Sequence, residues 1–414
     1  MSAAVKLNPG GVGRYDGGAR FMNVSAIVGA IGVIGAIAMM FVGSPESRER
    51  AAHSYLFSFT FWTGIAVAAI ILVAILHTMH AKWVTLLRRP LEVMGASIGL
   101  YAVLLIPLLF VLPGLYLWMH DADALHAAGT ISEIQVHHLH LKQHGYLNLP
   151  FFLVRQVIYF GSWIAVSYFL LRWSRQQDAD GSLDHTVRLR KLGPGAIPLL
   201  GMTLTFAGFD WLMSLTPLWQ STIFGVYYFA GSFLACIALW TLLTLQVQGP
   251  NGFGTFVSVE HDHNLGKLLL AFTAFWAYIG FSQFLLVWSA NLPEEAPWYH
   301  VRIEGPWLPF SIALVVLHFL LPFAALLSSD LKRRPKLLRI VALYILIVHV
   351  LDSIWMVLPS RYPDHGYVPA AADLFAFVGI GGLGIAAILW ILRRGYSLPV
   401  KDPYLADSLR YVQP

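Results

Sequence analysis

The chain has 414 residues, of which 57% are hydrophobic and 12% charged, with a mean hydropathy of +0.65. It is too apolar for a soluble domain and too long for one buried core, which points to a polytopic membrane protein. The formal net charge of +5 does not imply a nucleic-acid partner, because Lys and Arg of a membrane protein collect in cytoplasmic loops. A single cysteine, Cys236, excludes a disulfide, a zinc–thiolate site, a Cys-ligated iron–sulfur cluster and a c-type haem attachment within this chain.

A weakly basic segment, residues 1–20 with Lys6, Arg14 and Arg20, precedes the first apolar run. Ala36-Ile37-Ala38 within that run looks like a signal cleavage site. The run is longer than a signal-peptide core and many more follow, so it reads as a retained span. A crossing needs about 20 apolar residues, and ten stretches qualify: 21–42, 55–77, 91–112, 151–171, 195–215, 222–245, 266–289, 307–327, 337–358 and 371–392. The expected fold is therefore all-α, a single ten-helix transmembrane domain over 21–392 with a C-terminal tail over 393–414. Its halves meet at the short connection near 216–221. No internal repeat stands out, although that connection invites a division into two bundles.

With the N-terminus inside, 19 Lys and Arg fall in inner segments and 5 in outer loops. That bias predicts that both termini are cytoplasmic. Trp62, Trp118, Trp163, Trp173, Trp288, Trp298, Trp307 and Trp390 lie mostly near span ends, as interfacial belts require. The outer loop after the third span carries His120, Asp121, Asp123, His126, Glu133, His137, His138, His140 and His144. The inner connector Gln248–Gly254 is glycine-rich and runs into Glu260-His261-Asp262-His263. It lacks the Lys-Ser/Thr ending of a phosphate-binding loop. Neither connection is long enough for an independent domain, so soluble chemistry would come from partner chains.

Ionisable groups inside the spans are the strongest functional signal, since each costs roughly 2.5 to 3.5 kcal/mol on insertion scales. Arg155, Asp210, Asp352 and Asp373 fall in the outer half, His318 and His349 near the midplane, and Glu92, His77, Lys267 and Asp262 at the inner edge. This forms a ladder across the membrane and suggests a proton path through Asp210, Arg155, His318, His349, Asp352, Glu92, Lys267 and Asp262. His349 and Asp352 stand three residues apart and share a helix face, where a carboxylate can orient an imidazole or exchange a proton with it. Arg155 is the expected counter-charge for Asp210 or Asp352. Each group also has a plainer reading as a buried hydrogen-bonded pair. His137, His140 and His144 have helical spacing that could suit copper or zinc, but a solvated or docking loop is the simpler reading. A transmembrane haem would need His318 with His349. Gly29, Gly32 and Gly35, with Gly379, Gly381, Gly382 and Gly384, read as close helix-packing surfaces.

Several local patterns occur together. They are Tyr146-Leu147-Asn148 with Pro150-Phe151-Phe152, Arg155 and Tyr159; Phe209–Leu215; Ser221–Tyr227; Leu265-Gly266-Lys267; Phe275–Tyr278; Phe281-Ser282-Gln283; and Asn291–Glu295. Together, over roughly residues 20–395, they resemble the smaller of the two NrfD-like (polysulfide-reductase-type) membrane subunits of alternative complex III, a quinol-oxidising respiratory or photosynthetic complex. That resemblance implies two four-helix bundles with flanking helices and no redox centre in this chain. It also implies partners: a larger homologous subunit, an iron–sulfur subunit, haem c subunits, small membrane subunits and lipid. Quinone or quinol is the implied ligand of the complex, with Asp210 and Arg155 as possible contacts here. Asn264 departs from the acidic residue expected before Leu-Gly-Lys, which would leave Asp262 or Glu260 to serve an inner proton entry. The competing readings are a secondary transporter, which lacks paired broken helices in corresponding halves, and an architectural anchor.

Overall fold

The computed structural model describes residues 14–247 and 256–412; the glycine-rich connector Gln248–Gly254 lies outside them. Among the described residues ten helices are long and apolar enough to cross a membrane: α1 Ala19–Phe41, α2 Pro45–Thr78, α3 Lys82–Leu109, α4 Leu149–Asp180, α5 Leu183–Leu215, α6 Phe224–Val247, α7 Val259–Ala290, α8 Gly305–Leu327, α9 Pro335–Ser360 and α10 Ala371–Leu392. Among the described residues there is no strand, only an isolated bridge between Arg14 and Tyr396. The protein is an all-α polytopic membrane protein.

Local signals set many of the helix ends. The Ser44, Asn148 and Ser182 side chains cap α2, α4 and α5, and a proline occupies the first turn of α2 and of α4. Asn291 takes the left-handed conformation (φ 47°) that ends α7. Several helices run beyond the apolar stretch. α2 begins at Pro45 rather than near residue 55, because its polar first turns are paired across the structure: Glu49 with Arg361, and Arg50 with Asp373 at 2.7 Å.

α2 to α5 pack as one four-helix bundle and α6 to α9 as a second, with α2 and α6 buried along most of their length where the bundles meet. α1 and α10 form a flanking pair against α2. Their backbones come close at the glycines: a Cβ on Gly32 would lie 2.5 Å from the Gly379 Cα, and one on Gly29 2.4 Å from the Leu383 amide nitrogen. Small residues let the two backbones approach this closely, as the glycine spacing predicts.

The face where Arg14 and Tyr15 meet Gly395 and Tyr396, here the terminal face, is closed by buried ions. Arg88 bonds Glu92 (2.7 Å) and Asp402 (2.9 Å), while Arg89 bonds Glu92 (2.9 Å) and Asp178. The tail after α10 is docked rather than free. Asp402 joins this network, and the Ser408 hydroxyl accepts from the Leu86 amide and donates to the Trp83 carbonyl.

Candidate functional site

The carboxylate of Asp210 is wholly buried near the end of α5. Arg155 of α4 grips it with two bonds, Nε to Oδ2 at 2.8 Å and Nη2 to Oδ1 at 2.9 Å. The Tyr159 hydroxyl donates to Oδ2 at 2.8 Å. The guanidinium is itself enclosed. It donates to the Tyr146 carbonyl (2.9 Å) and lies 3.8 Å and 4.4 Å from the ring centres of Tyr146 and Phe151. Arg155 is therefore the counter-charge of Asp210, not of Asp352. The bidentate geometry matches guanidinium to carboxylate and pins both.

Asp352 of α9 is equally buried but surrounded differently. Tyr227 of α6 donates to Oδ1, Trp276 Nε1 of α7 lies 3.3 Å from Oδ2, and His349 Nδ1 lies 3.5 Å from Oδ2. Among the described residues no Lys or Arg reaches it. His349 continues into His318 of α8, the two rings stacked with centres 5.1 Å apart and 20° between planes. Both ring nitrogens of His318 are buried and have no protein hydrogen-bond partner. His318 sits in a π-helical turn, Val315–Leu320, a distortion common at functional sites. The stacked rings leave no room for a haem between them, since axial histidines must face a macrocycle from opposite sides.

The other predicted rungs lie elsewhere. Glu92 is saturated: besides both arginines, it accepts from the Ser174 hydroxyl at 2.9 Å on each oxygen. Asp262 is buried in the first turn of α7, and Lys267 is half-buried one turn later. Among the described residues no side-chain hydrogen bond links this terminal-face group to Asp352. Asp373 belongs to the cap of α10, held by Arg50, Ser54 (2.7 Å) and Tyr367 (3.1 Å). Burial and the Asp373 charge push the Tyr367 phenol, which precedes α10, up to about 12. In the outer loop, His140 and His144 stack at 6.2 Å and His140 Nε2 lies 3.4 Å from Asp123. Among the described residues no three His, Cys, Asp or Glu side chains gather to hold a metal ion.

The two aspartates occupy matched positions in a repeated bundle. Leu149-Pro150-Phe151 opens α4 as Leu308-Pro309-Phe310 opens α8, and Asp210 precedes Pro217 by the same interval as Asp352 precedes Pro359. Ser54, Phe57 and Gly64 of α2 match Ser221, Phe224 and Gly231 at α6. Leu112-Pro113, Trp118 and His120 match Leu292-Pro293, Trp298 and His300. This signal was present in the letters, yet no repeat stands out by eye, because the intervening loops differ in length. On this register Tyr159 corresponds to His318 and Arg155 to Leu314. The second bundle keeps the carboxylate and lacks the arginine.

An apolar cavity of about 490 Å³ opens between α7 and α8, with Leu314, Trp276, Tyr227, Tyr299 and Trp355 in its wall and Gln283 and Ser311 as polar groups. Phe281, Ile312 and Val315 at its rim are exposed on the lipid-facing side. Beside it Arg302 is fully buried, and among the described residues no carboxylate pairs with it. It donates to the Trp298, Trp355 and Met356 carbonyls, capping the end of α9, and its guanidinium lies 3.5 Å from the Trp298 ring centre. Burial pulls the Arg302 guanidinium down to about 9. A second, polar cavity of about 1090 Å³ lies on the opposite face from the termini, lined in part by Glu46, Glu49, His53, His120, Arg361 and Asp364; it is roomy and polar enough to hold water.

No protein-family model matches this chain, and no curated protein matches it.

Proposed function

We propose that this chain is a membrane subunit, without a redox centre of its own, of a quinol-oxidising electron-transfer complex, and that its second bundle moves protons through Asp352, His349 and His318. The observation that carries the transport role is the unequal treatment of two matched aspartates. Asp210 is locked by a bidentate arginine. Asp352 is just as buried, and among the described residues no Lys or Arg pairs with it, so as a carboxylate it is an uncompensated charge that exchange of a proton with the neighbouring imidazole relieves. In this reading Asp210 and Arg155 brace the first bundle and Glu92 anchors the terminal face, where Asp262 and Lys267 also lie. The electron-transfer setting rests on the NrfD-like motifs at Phe209–Leu215, Ser221–Tyr227 and Phe275–Gln283. The implied partners are a larger homologous subunit, an iron–sulfur subunit, haem c subunits and small membrane subunits, in the bacterial inner membrane with both termini cytoplasmic.

A second reading is favoured by the apolar cavity. A quinone ring wants an aromatic slot with one or two polar groups. The cavity beside Tyr227, Trp276 and Gln283 supplies these, whereas the surroundings of Asp210 and Arg155 are filled by Tyr146, Phe151 and Tyr159.

The test is D352N against D210N in the natively purified assembly, reconstituted in liposomes, with turnover and protons released per electron measured together. D352N is expected to abolish proton movement while D210N lowers stability more than stoichiometry. Unchanged stoichiometry in D352N would sink the transport role. A chain that purifies alone as a working solute carrier, free of haem and iron–sulfur subunits, would favour secondary transport instead.

A further inference from the structure

Among the described residues, several arginines of the terminal face are paired with carboxylates and several are not, Arg190 over the Tyr404 ring and Arg339 bonded to the Leu245 carbonyl among the latter. Arg88, Arg89, Arg333 and Arg334 are each paired with a carboxylate: Glu92, Asp402 and Asp178 for the first two, Glu260 and Asp330 for the others. Arg172, Arg175, Arg393 and Arg394 are paired with none among the described residues. Arg172 donates to the Tyr168 hydroxyl (2.6 Å), Arg175 to the Ile391 carbonyl (2.6 Å) and Arg393 to the Gly17 carbonyl (3.2 Å). Arg394 lies flat on Trp390, its guanidinium carbon 3.4 Å from the ring centre. The Arg175 Nε is buried and has no hydrogen-bond partner.

Arg172 and Arg175 come from α4, and Arg393 and Arg394 from the residues that follow α10. Arg172 and Arg175 stand one turn apart on α4 and so share a face. The bond from Arg175 to Ile391 joins that face to the end of α10, where Arg393 and Arg394 follow. Gly395 closes the crevice, a Cβ there lying 3.5 Å from Arg175 Nε. Tyr168, Phe169 and Trp390 beside the crevice are exposed on the lipid-facing surface. Aromatic rings of this kind sit at headgroup depth, which puts the guanidinium groups level with lipid phosphates.

We propose that this crevice between the ends of α4 and α10 binds the phosphate of an anionic phospholipid. Guanidinium groups suit phosphate because they present planar, paired donors, and basic pockets between spanning helices are known to hold acidic headgroups. A zwitterionic lipid offers the same phosphate but brings an ammonium group against four arginines. Free phosphate offers the charge but no chains to lie along Phe169 and Trp390. The site is independent of the proton path.

The assembly is stripped of lipid in neutral detergent and titrated with phosphatidylglycerol, phosphatidylcholine or inorganic phosphate, with bound lipid counted by native mass spectrometry. Wild type is expected to bind phosphatidylglycerol over phosphatidylcholine and to keep it in millimolar inorganic phosphate. R175Q/R394Q is expected to bind it about thirtyfold more weakly, roughly fivefold per arginine, and R333Q to bind it as wild type does. R394Q alone, whose side chain is exposed and touches mainly Trp390, gives the fivefold step without risk to folding. Equal binding of the two lipids, displacement by inorganic phosphate, or undiminished binding in R394Q would each overturn the assignment.

Discussion

Replacing Arg155 by leucine would give the first bundle the residue that the second carries at Leu314. Asp210 would lose bonds of 2.8 Å and 2.9 Å from a guanidinium and keep the Tyr159 bond at 2.8 Å, with Gln156 at 3.5 Å. Because the carboxylate is wholly buried, removing its partner strands a charge, a change that costs about 3 to 5 kcal/mol. Loss of the guanidinium stacked on Tyr146 and Phe151 adds about 0.5 to 1 kcal/mol. Protonation of Asp210 in the variant limits the loss, so about 3 kcal/mol is the expected result. Adding D210N should recover at least half of it, because the stranded charge is then gone. Equilibrium unfolding in mixed micelles with rising SDS, followed by tryptophan fluorescence, reads both values. A single variant within 1 kcal/mol of wild type, or a double variant no more stable than the single one, would refute the reasoning that the pair is a lock.

The converse change, L314R, should seat a cation beside Asp352; proton release in liposomes is expected to stop while L314M retains it. G231A should displace His349, since its Cβ would lie 2.6 Å from His349 Cε1 and 3.3 Å from Asp352 Oδ2. Proton movement is expected to fall at least tenfold with the fold intact by circular dichroism. G32V should separate α1 from α10, where the Cβ would meet Gly379 Cα at 2.5 Å; limited proteolysis of α1 is expected to quicken while α2 to α9 resist. D402N removes one acceptor from Arg88 (2.9 Å) and should loosen the docked tail, read as faster hydrogen exchange over residues 400–410 with little change elsewhere.

The ten spans were legible because about 20 apolar residues are needed to cross a bilayer and few sequences supply that by accident. Helix limits were not, as α2 illustrates. Glu46, Arg48, Glu49 and Arg50 read as a loop to any hydropathy window, yet Glu49 and Arg50 are neutralised by Arg361 and Asp373, residues more than 300 positions away in the chain. Pairing at that range leaves no local trace. For the same reason Arg155 could be assigned to Asp210 or Asp352 only once α4 and α5 were seen side by side. Glu92 is a different case. Its partners Arg88 and Arg89 stand four and three residues before it on one helix, so its role as a saturated anchor was readable from spacing alone. The repeat, too, was written in Leu-Pro-Phe and in the Asp-to-Pro interval.

The repeat makes the contrast between the bundles an internal experiment. The same carboxylate sits at the same helical position in two copies of one scaffold, and the main charge difference around it is Arg155 against Leu314. A buried ion pair contributes little net stability but resists any change in its protonation, because removing either charge strands the other. Where the arginine stands, Tyr146, Phe151 and Tyr159 fill the surroundings. Where leucine stands, the carboxylate is left to a tyrosine, a tryptophan and a histidine pair, and a cavity opens beside it. The groups that remain are ones that can pass a proton or orient a carboxylate, and the one group that would hold the charge fixed is absent. In the proposed reading, leucine in place of the arginine suits Asp352 to proton transfer, and the π-helical turn Val315–Leu320 of α8, which the continuous helix α4 lacks, brings His318 to the same place.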